Sequence, residues 1–168
     1  MEQLKIPKER IACLIGSKGK DKREIEQKTN TLLKINSEEG DVIIEGESLN
    51  CFNCKKIVKA IGRGFNPKVA LMLLDENYHF ELVNIEDYTK SKNDLIRIKA
   101  RLIGAQGKAW KSIERLTNTY LSVYGKTVGI IGLYKEVSLA KQAIINLLQG
   151  SKHGNVYTYI EKQKARIL

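Results

Sequence analysis

Residues 14–35 recur at residues 102–123. Leu14-Ile15-Gly16-Ser17-Lys18-Gly19-Lys20 reads against Leu102-Ile103-Gly104-Ala105-Gln106-Gly107-Lys108, Ile25-Glu26 against Ile113-Glu114, and Thr29-Asn30-Thr31 against Thr117-Asn118-Thr119. The offset is 88 without a gap, and 11 of the 22 positions are identical. The chain is therefore a duplication of one unit with a spacer between the copies. At 168 residues there is room for two small domains, each with a modest core of its own.

Both copies predict the same order of elements. Leu4 and Ile6 start a short strand in the first copy, and Leu95-Ile96-Arg97-Ile98-Lys99 alternates like one in the second. A helical stretch then leads into a glycine pair, and a second helix runs from the glycines to about Asn30 or Asn118. Leu32-Leu33-Lys34-Ile35 and Tyr120-Leu121-Ser122-Val123-Tyr124 read as strands. A turn follows in each, then a third strand at Val42-Ile43-Ile44 or Val128-Gly129-Ile130-Ile131. The second turn is two residues shorter, so the offset falls to 86 and Gly46 meets Gly132. A last helix is expected over 48–61 and 136–148, with Val137, Ala140, Ile144, Leu147 and Leu148 at three- and four-residue intervals. The expected fold is α+β: per unit, a three-stranded antiparallel sheet with three helices on one face. The expected division is 1–66 and 93–150 for the two units, 67–92 for an extension and linker, and 151–168 for a helical tail. Within the extension, Pro67 to Leu74 reads as a helix and Phe80 to Ile85 as an extra strand.

Charge is unevenly spread. Residues 1–65 hold 13 Lys and Arg against 10 Asp and Glu, residues 66–94 hold 3 against 6, and residues 95–168 hold 13 against 3. The C-terminal part is strongly cationic and suits a polyanionic partner. Apolar runs such as Val69 to Leu74 are too short to span a bilayer, and the N-terminus lacks the apolar stretch of a secretory leader. Three cysteines fit a disulfide framework poorly, so reduced thiols and a cytoplasmic location are expected, with no membrane partner.

Each glycine pair lies between two helices with a lysine directly after it. Glycine lets the backbone approach a ligand closely. The next helix turns its first N–H groups and the positive end of its dipole toward the loop, an arrangement that binds anions. A lone Gly-x-x-Gly is weak evidence. Here it comes as Leu-Ile-Gly-x-x-Gly-Lys-(x)4-Ile-Glu, twice, inside one order of elements.

That pattern resembles the type I KH domain, whose Gly-x-x-Gly loop clamps about four nucleotides of single-stranded nucleic acid. The resemblance implies two clamps, Gly16-Ser17-Lys18-Gly19 and Gly104-Ala105-Gln106-Gly107. Lys20, Lys22 and Arg23 in the first unit, and Ile103, Lys108 and Lys111 in the second, complete the implied RNA-binding set, and the cationic excess of the second unit adds Arg101. Ile15, Ile25, Leu33 and Ile35, and their counterparts Ile103, Ile113, Leu121 and Val123, are groove or core positions. One departure stands three places after the second glycine. Many KH domains have an aliphatic residue there, whereas this chain has Lys22 and Trp110. Trp110 is open to two roles, stacking on a base or packing.

Three further segments sharpen the resemblance: Gly107 through Gly132, Gly64-Phe65-Asn66-Pro67 with Ala70 to Asp75, and Gly150 to Tyr157. Together they look like the archaeal branch of the partner-of-Nob-one (Dim-two) family, two-KH assembly factors of the small ribosomal subunit. The implied partners are single-stranded RNA near the 3′ end of small-subunit rRNA, the maturing small subunit, the endonuclease that trims that end, and translation initiation factors. The charge count ranks the second unit as the main RNA grip. The alternative function is a scaffold that docks proteins through the acidic spacer and the tail stripe Val156, Ile160 and Ile167.

Enzymatic readings lack a constellation to carry them, and no cofactor is expected. Cys51-Phe52-Asn53-Cys54 has no further ligands at zinc spacing and aligns with Val137 and Ala140 on an apolar helix face, so its thiols read as core. The glycines are too close together for a P-loop. Glu26 and Glu114 recur, but a capping or intrahelical role suits them better than catalysis.

Overall fold

A computed structural model describes residues 1–167, without the side chain of Ile167; that member of the tail stripe lies outside the described residues. The chain divides into two compact units, Met1–Tyr78 and His79 onward.

The first unit runs β1 (Glu2–Lys5), α1 (Ile11–Ile15), α2 (Lys20–Thr29), β2 (Leu32–Asn36), β3 (Asp41–Glu45), α3 (Ser48–Gly62) and α4 (Pro67–Ala70). Its sheet has the order β1-β3-β2, antiparallel throughout, with Leu4 opposite Val42 and Leu33 opposite Ile44. Alternation along β3 sends Val42 and Ile44 into the core, where they join Leu14, Ile25, Ile57 and Ile61. Cys51 and Cys54 are buried, as their place on an apolar helix stripe predicts. Pro67 opens α4, and Asn66 caps it by accepting the Val69 N–H. A 3-10 turn over Leu71–Leu74 completes the expected helical stretch, which packs on α3.

The second unit runs β4 (Tyr78–Asn84), α5 (Lys92–Ile103), α6 (Lys108–Thr117), β5 (Tyr120–Tyr124), β6 (Thr127–Leu133), α7 (Tyr134–Leu148) and α8 (His153–Ile167). Its sheet order is β4-β6-β5, the same plan as the first. Val128, Ile130, Leu121, Ile113, Ile144 and Leu102 share its core.

Three expectations need correction. The segment Leu95 to Lys99 is helix, part of α5, and the first strand of the second sheet is β4, which read as an extra strand in the spacer. The division between the two units accordingly falls near Tyr78, inside the segment 67–92 that reads as extension and linker. A local cap decides the helix. Ser91 Oγ accepts the Asp94 N–H at 3.1 Å, Asp94 Oδ2 accepts the Lys90 N–H at 2.9 Å, and Arg97 pairs with Asp94 Oδ1 at 2.6 Å. The third correction concerns the tail. Helix α8 packs on α6 and α7, and Val156 and Ile160 are buried in the second unit's core.

Helical periodicity points Ile98 inward and leaves Ile96 66% exposed, whereas a strand would put both on one face. Ile96→Asp should leave the urea midpoint nearly unchanged. Ile98→Asp should lower stability by several kcal/mol, since it buries an unpaired carboxylate. Similar losses from both would contradict the helix.

Candidate nucleic-acid interface

The two glycine loops are near copies in backbone geometry. Gly16 and Gly104 have φ 75° and 76°, Lys18 and Gln106 have φ 54° and 57°, and Gly19 and Gly107 have φ 76° and 73°. Three of four consecutive residues thus sit at positive φ, and two of the three are glycine. The first glycine is also required sterically. A Cβ on Gly104 would lie 2.7 Å from Ala109 Cβ and 2.9 Å from the Ala109 nitrogen. The tight turn closes with Gly19 N–H donating to Gly16 O and Gly107 N–H to Gly104 O, each at 3.2 Å.

Gly19 and Gly107 occupy the N-cap positions of α2 and α6, and neither helix has a side-chain cap. The first turn therefore presents N–H groups and a positive dipole end at the loop with no side chain competing from the cap. Ser17, Lys18, Ala105 and Gln106 are exposed, and all four glycines are half-buried. An uncapped helix start behind an exposed loop is a geometry that suits an anion.

The cations expected there divide. Lys20, Lys108 and Lys111 are exposed. Arg23 is exposed too, but donates to Lys18 O at 2.7 Å and folds over Gly19. Lys22 is half-buried and 3.8 Å from Glu26. Arg101 is a correction. Its guanidinium donates to Leu147 O at 2.7 Å and to Ser151 O, binding carbonyls at the end of α7, and its own carbonyl bonds His153 Nε2 at 2.8 Å. Arg101 holds helices together instead of standing free beside the loop. Arg10 does the same in the first unit, donating to Ile61 O at 2.8 Å and Phe65 O at 2.7 Å.

Ile25, Leu33, Ile113 and Leu121 are core. Ile15, Ile35, Ile103 and Val123 are half-buried at matching places in the two units and can offer apolar surface beside the loops. Trp110 packs against the second unit's own core, and its Nε1 lies 2.9 Å from where a Cβ on Gly107 would be.

One difference bears on electrostatics. Where the second unit sets the Ala109 methyl against Gly104, the first sets the Asp21 side chain against Gly16, with Asp21 Cβ 2.8 Å from the position of an added Cβ. A carboxylate at the start of α2 opposes the anion that the loop would hold.

The recurring glutamates and threonines support the loops from behind. Glu26 Oε2 accepts the Leu33 N–H at 2.9 Å, and Glu114 Oε2 accepts the Leu121 N–H at 2.8 Å. Each tethers the second helix to the following strand. The hydroxyls of Thr29 and Thr31, and of Thr117 and Thr119, pair at 2.7 and 2.8 Å in buried surroundings. Asn30 and Asn118 end the helices at φ 53° and 55°. Burial pushes the Glu114 carboxyl above its usual range, outweighing the Leu121 N–H and the Lys111 charge, which lower it.

Gly104→Ala should destabilise the protein by roughly 1–3 kcal/mol and weaken any ligand of the second loop. Gly154→Ala, which meets nothing within 4 Å, should be near neutral; equal urea midpoints for the two variants would count against the steric argument. Because folding raises the Glu114 pKa, the folded protein binds more protons there, and stability falls as pH rises through the carboxylate range. Glu114→Gln keeps an acceptor for Leu121 without the charge, so its stability relative to wild type should rise from pH 4 to pH 7. A gap that is flat in pH would contradict the desolvation.

Comparison with known proteins agrees with this geometry. A model of the eukaryotic-type KH domain (KH-domain type I), built on the second KH domain of Pno1 proteins, matches residues 79–165, and a general KH-domain model matches residues 1–60. KH domain-containing protein MJ0443 of Methanocaldococcus jannaschii is 42% identical over 172 residues, covering 99% of this chain and 75% of that one. The crystal structure of Dim2p from Pyrococcus horikoshii is 44% identical with a TM-score of 0.88, covering 96% of this chain and 98% of that one. A second Pyrococcus horikoshii structure, of an a/eIF2alpha–aDim2p–rRNA complex, gives 44% identity, a TM-score of 0.90, and coverage of 98% and 94%. RNA-binding protein pno1 of Dictyostelium discoideum is 35% identical over 113 residues, which is 66% of this chain but only 47% of that relative. With both glycine loops in place and matches running nearly end to end, the chain belongs to the tandem type I KH family that includes archaeal Dim2p and the Pno1 proteins.

Proposed function

We propose that this protein binds single-stranded rRNA near the 3′ end of the small-subunit RNA and serves as an assembly factor of that subunit. The observation that carries the reading is the pair of open, uncapped glycine loops, one of them in a strongly cationic unit. Divided near Tyr78, residues 79–168 hold 15 Lys and Arg against 7 Asp and Glu. Support also comes from the Pyrococcus horikoshii relative solved with rRNA and from relatives named as pre-rRNA-processing proteins.

The loop does its work without covalent chemistry. Backbone N–H groups at Gly104–Gly107 and the start of α6 hold a phosphate, Lys108 and Lys111 neutralise its neighbours, and half-buried Ile103 and Val123 flank the bases. Gly16, Ser17, Lys18 and Gly19, with Lys20, Lys22 and Arg23, form the same site in weaker form, because Asp21 opposes the phosphate. The proposed partners are the maturing small subunit, a translation initiation factor and the endonuclease that trims the rRNA. The scaffold alternative loses its tail stripe, since Val156 and Ile160 are buried.

A fluorescence titration with a single-stranded oligonucleotide from the small-subunit 3′ end tests this. Ala105→Asp with Gln106→Asp should weaken binding by roughly tenfold or more, and Ser17→Asp with Lys18→Asp by clearly less. Asp21→Ala should strengthen it. Equal losses from the two double variants would overturn the ranking, and no loss from either would overturn RNA binding through the loops.

A further inference from the structure

A second cationic feature lies in the second unit away from the glycine loop. Arg115 at the end of α6, Lys135 at the start of α7 and Lys164 on α8 line a cavity of about 460 Å³, together with Asn118, Glu136 and Leu139. The three cations are exposed, and no ion pair is made by any of them among the described residues. Among the described residues the lining has one carboxylate, Glu136, 3.4 Å from Asn118 Nδ2, against three cations. Three cations drawn together from three helices repel one another, a cost that an anion would relieve.

A line of cations on α6 links the cavity to the loop. Lys108, Lys111 and Arg115 are all exposed and recur at three- and four-residue intervals, so they form one stripe along α6. Lys108 directly follows the loop and Arg115 lines the cavity, separated by about 10 Å of helix.

The first unit supplies an internal comparison. It keeps the scaffold of this corner, Glu26, Thr29, Asn30 and Thr31, and keeps cations at Lys20 and Arg23 opposite Lys108 and Lys111. It has Gln27 opposite Arg115 and Leu49 opposite Lys135, and it has no counterpart of α8. The fold therefore does not require the cluster.

We infer that Arg115, Lys135 and Lys164 form a second phosphate site, which extends the RNA footprint of the second KH unit beyond its glycine loop along α6. This rests on the RNA-binding reading above. The glycine loop takes about four nucleotides, and a longer strand follows the Lys108–Lys111–Arg115 stripe until its backbone enters the cavity. That line of cations from the loop favours RNA over an acidic protein segment.

The test uses the full chain carrying Arg115→Gln, Lys135→Gln and Lys164→Gln, with thermal unfolding to confirm an intact fold. Two single strands are titrated across a range of salt: a tetranucleotide, about what one loop clamps, and a strand several times longer. The triple variant should bind the tetranucleotide like wild type, bind the longer strand roughly tenfold more weakly, and lose about 2 from the slope of log K against log salt, at about 0.7 per contact. Unchanged binding of the longer strand, or an equal loss on both, would overturn the second site and leave the loop intact. So would a loss confined to a protein partner. Wild type that binds neither strand would instead overturn the RNA reading itself.

Discussion

The backbone between α5 and α6 spends three of its four residues at positive φ, and the rest of the second unit is arranged around that constraint. This path leaves the end of one helix and starts the next with no side-chain cap on its N-terminus. Gln106, and Lys18 in the first unit, bear a left-handed conformation that costs a non-glycine residue roughly 1–2 kcal/mol. Such strain persists only where the surroundings over-determine it. Here they do: α6 is tethered to β5 through Glu114, locked by the Thr117–Thr119 pair, and α5 is fastened to the end of α7 by Arg101.

The duplication separates what the fold needs from what each copy does. Positions kept in both copies, such as Gly104, Gly107, Ile113, Glu114, Thr117, Asn118 and Leu121, each serve the fold through positive φ, core packing or a bond from helix to strand. Several positions that differ alter the charge around the loops. Asp21 against Ala109 and Gln27 against Arg115 both make the second unit the more cationic. One fold thus carries two sites of unequal electrostatic strength.

The loops, the cores and most helix ends are legible in the sequence because they depend on local chemistry: glycine where φ is positive, asparagine at a left-handed cap, apolar residues at helical spacing. The start of the second unit misleads because Leu95-Ile96-Arg97-Ile98-Lys99 satisfies strand alternation over five residues, while its helical register shows only when Leu102 is added. The signal that resolves it is present in Ser91-Lys92-Asn93-Asp94, a cap whose hydrogen bonds start a helix at Lys92. Arg101 misleads for a different reason. A cation three residues before a loop looks available to a ligand, and nothing in the local sequence shows that helix α7 ends within its reach.

By itself the sequence determined the duplication, the α+β order and the two glycine loops, because each is written in residues that are neighbours along the chain or repeat at a fixed offset. Only the tertiary structure decided which strand completes the second sheet, which arginine is held by carbonyls, and which three lysine and arginine side chains from separate helices meet at one cavity. Those outcomes depend on distances between segments up to about fifty residues apart, such as Arg101 to Ser151. Such distances are set by packing, and no local pattern encodes them.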